Sequence, residues 1–233
     1  MCSSDLPETF ISYFAIMKIG AICMPLFSGF GEAPIATRLN DGGAKAVVTV
    51  DGTWRRGKPG AMKGVLDLAL AHSPSVQKVI VVRHLADKMP VTMAAGRDVW
   101  WSDFVAGQPA ECATVSMPAE TPAALLFTSG TTGKPKGTVH FHRDILAMCD
   151  CFPRSCLKVT PDDVFTGTPP LAFTFGLGGL LAFPLRYGAS TALVERFTPE
   201  GIWESVRRFR ATVLFTAPTM FRALAGIAKN HDL

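Results

Sequence analysis

Residues 123–142 read AALLFTSGTTGKPKGTVHFH. An apolar run, AALLF, has the length and composition of a buried strand, and TVHFH has the look of a second one. Between them, Thr128 to Gly137 hold four hydroxyls, three glycines and two lysines. Glycines let the backbone turn sharply and bring bare N–H groups to an anion, hydroxyls donate to phosphate oxygens, and lysines supply point charge. A polyphosphate cradle at the end of a buried strand has this composition. A P-loop would need glycine where Thr128 stands and serine or threonine where Pro135 stands, so that pattern fails twice. Pro135 also disfavours helical geometry at Lys134, which predicts an extended loop leading to a strand, not to a helix N-terminus. Ser/Thr/Gly-rich segments are often linkers, but a linker has no reason to carry Gly-Lys-Pro-Lys-Gly between two apolar strands.

Outward from this loop the chain alternates helix and strand. Glu8 to Gly20 follow a helical period with Thr9 available as a cap, and AICMPL (21–26) reads as a short buried strand. EAPIATRLNDGGAKAVVTV gives a helix stopped by Gly42 and Gly43 and then a strand from Lys45 to Val50; VLDLALAHSPSVQKVIVV repeats the pattern, the rhythm of a parallel sheet. Turn chemistry dominates 51–60 and 86–120, which are expected to be loops or peripheral excursions. After the loop come a helix from about Arg143 to Cys156, the apolar stretch 171–185, STALVE, a helix over Pro199–Phe209, ATVLFTA and a last helix after Pro218. The expected fold class is α/β, with mixed, largely parallel sheets flanked by helices. Its first subdomain spans 1–160, including the loop at 127–137, and a second begins at 161–233.

Composition narrows the function classes. A net charge of +4 with 18% charged residues is too mild and scattered for a nucleic-acid surface. Lys18, Gly20 and Pro25 interrupt the apolar segment 10–30, and the run 171–185 is too short to span a bilayer, so no membrane span is expected. Cysteines at 2, 23, 112, 149, 151 and 156 show no repeated C-x-x-C spacing and no secretory signal precedes them, which predicts reduced thiols in a cytoplasmic protein. His140 and His142 flank Phe141 and by period two share a strand face. With Cys149 and Cys151 they raise a metal site, but Cys149, Cys151 and Cys156 match no standard zinc spacing, so no metal site is expected from them.

FTSGTTGKPKG resembles the signature of the acyl-adenylate-forming superfamily, the AMP-dependent synthetases and ligases, across the whole motif. FAIMKIGAICMPL, TVHFHRDIL and ATVLFTAPTMFRAL resemble segments of the same family around it. The resemblance implies the large N-terminal domain of that fold, with ATP, Mg2+ and coenzyme A as cofactor and cosubstrates and a small carboxylic acid as substrate. The acid attacks the α-phosphate, and the acyl-adenylate is opened by a thiol. Carried onto this chain, the resemblance assigns Thr128, Ser129, Thr131 and Thr132 to the phosphates, with Gly130, Gly133 and Gly137 permitting the approach. Lys134 and Lys136 supply charge, although an exposed Lys136 paired with a local carboxylate fits as well.

PPLAFTFGLGG (169–179) is similar to the acid-pocket segment of benzoate- and 2-aminobenzoate-type aryl-CoA ligases, which makes Phe173, Phe175, Gly176 and, on the strand after the loop, His140 acid-pocket candidates. Core packing accounts for either phenylalanine equally well. GAICMPLFSGFGEAPIATRLNDGGAKAVVT resembles acetyl-CoA-synthetase-like sequences instead, which leaves aromatic and short-chain acids both open. The family's Thr-Glu segment, ribose-binding aspartate, hinge and mobile C-terminal domain with its catalytic lysine are not found after Ala217. The expectation is therefore a piece of the N-terminal domain, without catalytic residues of its own and inactive alone. A nucleotide-binding remnant and an adenylation domain that loads a carrier protein are the alternatives.

Overall fold

Pro7 starts the first helix, α1 (Pro7–Lys18), where its missing N–H costs no hydrogen bond. Thr9, expected as a cap, therefore lies within the first turn and is buried. The computed structural model describes residues 6–55, 58–128, 135–194 and 197–228. Its contacts divide the chain into two units, one over Pro7–Phe141 and one from His142 onward.

In the first unit the expected strand at 21–26 is reduced to a single bridge. Cys23 donates to Ala123 O and accepts from Leu125 N, both at 2.9 Å, in parallel register. The next position on that edge two residues on is Pro25, which has no N–H to give, so the ladder stops. Helix α2 (Glu32–Asp41) ends where the glycines predict, with Gly43 at φ +58 and Ala44 N reaching back to Leu39 O at 2.9 Å.

Strand β1 (Ala46–Val50) follows, and where 51–60 were expected to be a loop or peripheral excursion the chain forms an antiparallel hairpin of β2 (Gly52–Arg55) and β3 (Lys58–Ala61). What holds its base is long-range. The Asp51 carboxylate, 1% exposed, accepts from the backbone N–H groups of Gly52, His84, Leu85 and Ala86 at 2.7–3.1 Å, while its carbonyl accepts from Met62 and Lys63.

Helix α3 (Lys63–Leu70), strand β4 (Lys78–Val82), strand β5 (Asp98–Trp100) and helix α4 (Trp101–Val105) come next. Strands β1, β4 and β5 make one parallel sheet in that order. The valine-rich runs of β1 and β4 suit strands covered on both faces, and Val47, Val50, Val79 and Val81 are buried. Helices α2 and α3 pack against each other, and Ile35 and Leu39 on the one and Leu66 on the other are buried. The unit ends in an antiparallel pair, β6 (Pro122–Phe127) and β7 (Gly137–Phe141).

Beside the parallel sheet lies a charge cluster. Lys63 Nζ, on a side chain 1% exposed, is 2.7 Å from Asp67 and 2.8 Å from Asp98, whose side chain is fully buried; Arg97 also bonds both aspartates. Burial pushes the Asp98 carboxyl up, but hydrogen bonds from Arg97, Lys63 and the Ala94 N–H hold it down at about 2. An unfolded aspartate ionises near 3.9, so Asp98 contributes its full share of stability, about 2 kcal/mol, above roughly pH 4 and loses it as pH falls toward 2. Urea unfolding of the protein and of Asp98→Asn between pH 2 and 7 is expected to give curves that converge at the acid end and separate above pH 4.

The second unit opens with α5 (His142–Phe152), which continues into a wider π-type turn over Pro153–Leu157. Strand β8 (Val164–Gly167) precedes a short turn of helix, α6 (Thr174–Gly176), a second π-type segment over Leu177–Ala182, and α7 (Phe183–Arg186). Each π-type segment adjoins a proline. Pro153 and Pro184 cannot donate to the carbonyls four residues earlier, those of Cys149 and Leu180. The Tyr187 hydroxyl, at 3.0 Å, takes the first and the Thr191 hydroxyl, at 2.9 Å, takes the second. Leu171 to Leu185 are thus largely a core helix, as expected, with residues 177–182 all buried.

Strand β9 (Ser190–Thr191), helix α8 (Pro199–Phe209), strand β10 (Val213–Phe215) and helix α9 (Pro218–Ala228) complete the unit. Its sheet is parallel in the order β10-β8-β9. Thr198 caps α8 by accepting from Gly201 N at 3.1 Å, and Ile202, Val194 and Leu224 form the core between α8 and α9. The sequence reading set its boundary at 160/161, whereas the contacts divide at Phe141/His142. The Tyr187 bond to Cys149 O and the Arg186–Asp150 ion pair tie α5 to the later elements. No helix among the described residues is long and apolar enough to cross a membrane.

Candidate functional site

The hydroxyl- and glycine-rich segment is carried at the tip of the β6–β7 hairpin. Phe127 pairs with Gly137, Leu126 with Thr138 and Leu125 with Val139. Beyond the last pair the stems are joined once more: Thr128 N donates to Lys136 O at 3.0 Å, and Lys136 N donates to Thr128 Oγ1 at 3.1 Å. Thr138 Oγ1 donates to Leu126 O at 2.9 Å just below this neck. Both stems are strands, so no helix N-terminus follows the loop, and the exclusion of a P-loop made from Thr128 and Pro135 agrees with the geometry.

The expected phosphate ligands divide accordingly. Thr128, Lys136 and Gly137 form the neck; Ser129, Gly130, Thr131, Thr132, Gly133 and Lys134 lie outside the described residues. The Thr128 hydroxyl oxygen is engaged by the Lys136 N–H, which leaves its own proton as the group available to a ligand. Lys136 is exposed. Gly137 sits beside Leu125, and a β-carbon there would lie 2.9 Å from Leu125 Cδ1.

His140 is opposite Ala124 on β7 and half-buried. The expectation that His142 shares its strand face is corrected, because β7 ends at Phe141 and His142 is the first residue of α5. A helical residue no longer follows the two-residue period of the strand.

The other acid-pocket candidates lie in the second unit. Phe173 is half-buried and extended, its N–H bonded to Pro170 O at 3.1 Å and its carbonyl to Leu177 N at 2.8 Å. Phe175 is 51% exposed, with its ring centroid 5.4 Å from that of Phe215. Phe215 also packs on Phe165 and Phe183, so Phe175 is the exposed edge of an aromatic cluster in which Phe165 and Phe215 are buried and Phe183 is half-buried. Gly176 is buried, and a β-carbon there would come within 2.2 Å of Pro170 O, so this turn needs glycine whatever it binds. At the ends of β8 and β10 the hydroxyls of Thr168 and Thr216 bond each other at 2.6 Å.

Burial, and next Asp150, pushes the Cys149 thiol up to about 11, which marks it as a packed side chain and not a nucleophile. Among the described residues no three His, Cys, Asp or Glu side chains gather as a metal site. The sequence reading missed Arg38. It lies on the apolar stripe of α2 with Ile35 and Leu39, is 4% exposed, and stacks on Phe127, the last residue of β6. A cation on the buried face of an amphipathic helix is a signal a sequence can give.

Comparison with known proteins covers the whole chain. The family model described as AMP-binding enzyme matches residues 1–233. Acetyl-coenzyme A synthetase of Rhodopirellula baltica is 38% identical over 233 residues, covering 97% of this chain and 34% of that protein. The enzyme of the same name from Methanothrix thermoacetophila is 39% identical over 221 residues, covering 93% of this chain and 33% of that protein. The chain thus spans about a third of the length of these relatives. Among solved structures, an anthranilate CoA ligase in complex with anthranoyl-AMP superimposes with a TM-score of 0.84 at 24% identity, covering 98% of this chain and 42% of that one. The mixed α/β arrangement expected from the sequence is therefore the fold of an adenylate-forming enzyme domain.

Proposed function

We propose, because the chain belongs to the AMP-binding enzyme family, that it supplies the ATP phosphate loop of an acid:CoA ligase. A carboxylate oxygen of the acid bonds to the α-phosphorus of ATP while the bond to the departing pyrophosphate breaks. The sulfur of coenzyme A then bonds to the acyl carbon and AMP leaves. Two anions meet in the first step, so charge neutralisation and positioning carry much of its acceleration. The backbone N–H groups and hydroxyls of Thr128 to Gly133 take the phosphate oxygens, and Lys134 balances the charge that develops on pyrophosphate. The observation that carries this reading is the hairpin itself, with a loop of hydroxyls, glycines and lysines held at a closed neck between two strands.

Among the described residues no three His, Cys, Asp or Glu side chains gather as a metal site, and the roles assigned here are those of the chain's own donors. For the acid, we favour a short aliphatic chain such as acetate over an aromatic ring, supported by the 38–39% identity to acetyl-coenzyme A synthetases. Pyrophosphate exchange into ATP tests both points in the complete protein that carries these residues, with acetate, benzoate and 2-aminobenzoate offered separately. Exchange driven best by acetate is expected. Exchange driven only by the aromatic acids would overturn the substrate preference, and none with any acid would overturn the ligase reading.

A further inference from the structure

Below the loop neck lies a cation with no counterpart in the phosphate-binding roles above. Arg38 projects from α2 with its guanidinium carbon 4.3 Å from the ring centroid of Phe30 and 5.3 Å from that of Phe127. The residue is 4% exposed, Nη1 donates to Pro34 O at 2.9 Å, and Nε has no hydrogen-bond partner among the described residues. Burial lowers its pKa, partly offset by Asp41, yet an arginine stays charged at neutral pH. A buried cation whose main companions are two aromatic faces is held by those faces.

One of those rings, Phe127, is the last residue of β6 and is followed directly by Thr128, which closes the neck. We propose that Arg38 is a positioning residue for the phosphate loop. By stacking between Phe30 and Phe127 it fixes the end of β6 against α2, and so keeps the Thr128–Lys136 neck closed. The functional half of this inference rests on the phosphate-loop reading; the structural half does not.

The neck supplies a local readout. Trypsin cuts after Lys136 only when the bonds of Lys136 N and O to Thr128 open, whereas Lys134 is protected by the proline after it. Lys158, exposed in the second unit, serves as the internal reference for general loosening. Arg38→Met keeps the length of the side chain and removes the cation, and Phe127→Leu removes the ring from the other side. Each variant of the complete protein is expected to raise cleavage after Lys136 about tenfold relative to cleavage after Lys158, the scale of one stacked cation. Arg38→Lys, which keeps the charge but not the planar guanidinium, recovers part of the protection.

In pyrophosphate exchange, Arg38→Met is expected to raise KM for ATP more than it lowers kcat. Equal acceleration at Lys136 and Lys158, or none at either, in both Arg38→Met and Phe127→Leu would overturn the positioning role. If the parent protein shows no exchange with any acid, the ligase reading falls and the cleavage ratio still decides for or against Arg38.

Discussion

Replacing both Thr131 and Lys134 by alanine is expected to lower acid-dependent pyrophosphate exchange in the complete protein by about 100- to 1,000-fold, roughly 2.7–4 kcal/mol, the scale of a well-aimed donor to a developing anion. Lys134 is assigned to charge that grows as pyrophosphate departs, so the loss belongs mainly in kcat and not in KM for ATP. The single Thr131→Ala change removes one hydroxyl among several and should cost less. Melting temperature should move little, because the β6–β7 ladder and its Thr128–Lys136 neck lie outside the substituted positions. Unchanged exchange in the double variant would remove the loop from the phosphate-binding role.

Lys63→Met is expected to destabilise the protein by about 3–5 kcal/mol, the cost of leaving a buried charge without its partner. The cluster of Lys63, Arg97, Asp67 and Asp98 is electrically balanced as it stands. Without Lys63, two carboxylates share one arginine, and Asp98, with its side chain fully buried, keeps only Arg97 and the Ala94 N–H. Adding Asp98→Asn to Lys63→Met should recover a large part of the loss, since replacing a buried pair costs less than breaking it. Urea midpoints of the two single variants and the double variant measure this. A loss under about 1 kcal/mol in Lys63→Met would show that water reaches the cluster and screens it.

These two expectations differ in how legible their residues are. The loop was plain because its composition and its proline are local properties. Helix α2, with Gly42 and Gly43 after it, and the valine-rich strands β1 and β4 were legible for the same reason. What the sequence hid depends on partners far along the chain. Residues 51–60 carry turn chemistry and read as a loop or peripheral excursion, yet the Asp51 carboxylate binds backbone groups more than thirty positions away and fixes a hairpin there. The Lys63 cluster joins α3 to β5 in the same manner. AICMPL looked like a strand because it is apolar, and lost that form to one missing N–H at Pro25.

At the site, the neck roles of Thr128 and Lys136 depend on the hairpin pairing and not on residue type. Phe173, Phe175 and Gly176 could be singled out from their segment. Only the structure separates Phe175, half exposed, from Gly176, which the turn at Pro170 requires.

The central claim is that the loop at 127–137 serves attack of a carboxylate on the α-phosphorus. It is tested most directly by supplying the complete protein with ATP, coenzyme A and acetate labelled in both carboxylate oxygens with the heavy isotope. The account predicts that the AMP formed carries one labelled oxygen, because the attacking oxygen stays on phosphorus when the thiol releases AMP. Label in inorganic phosphate, with ADP as the nucleotide product, would place the attack on the terminal phosphate and contradict it.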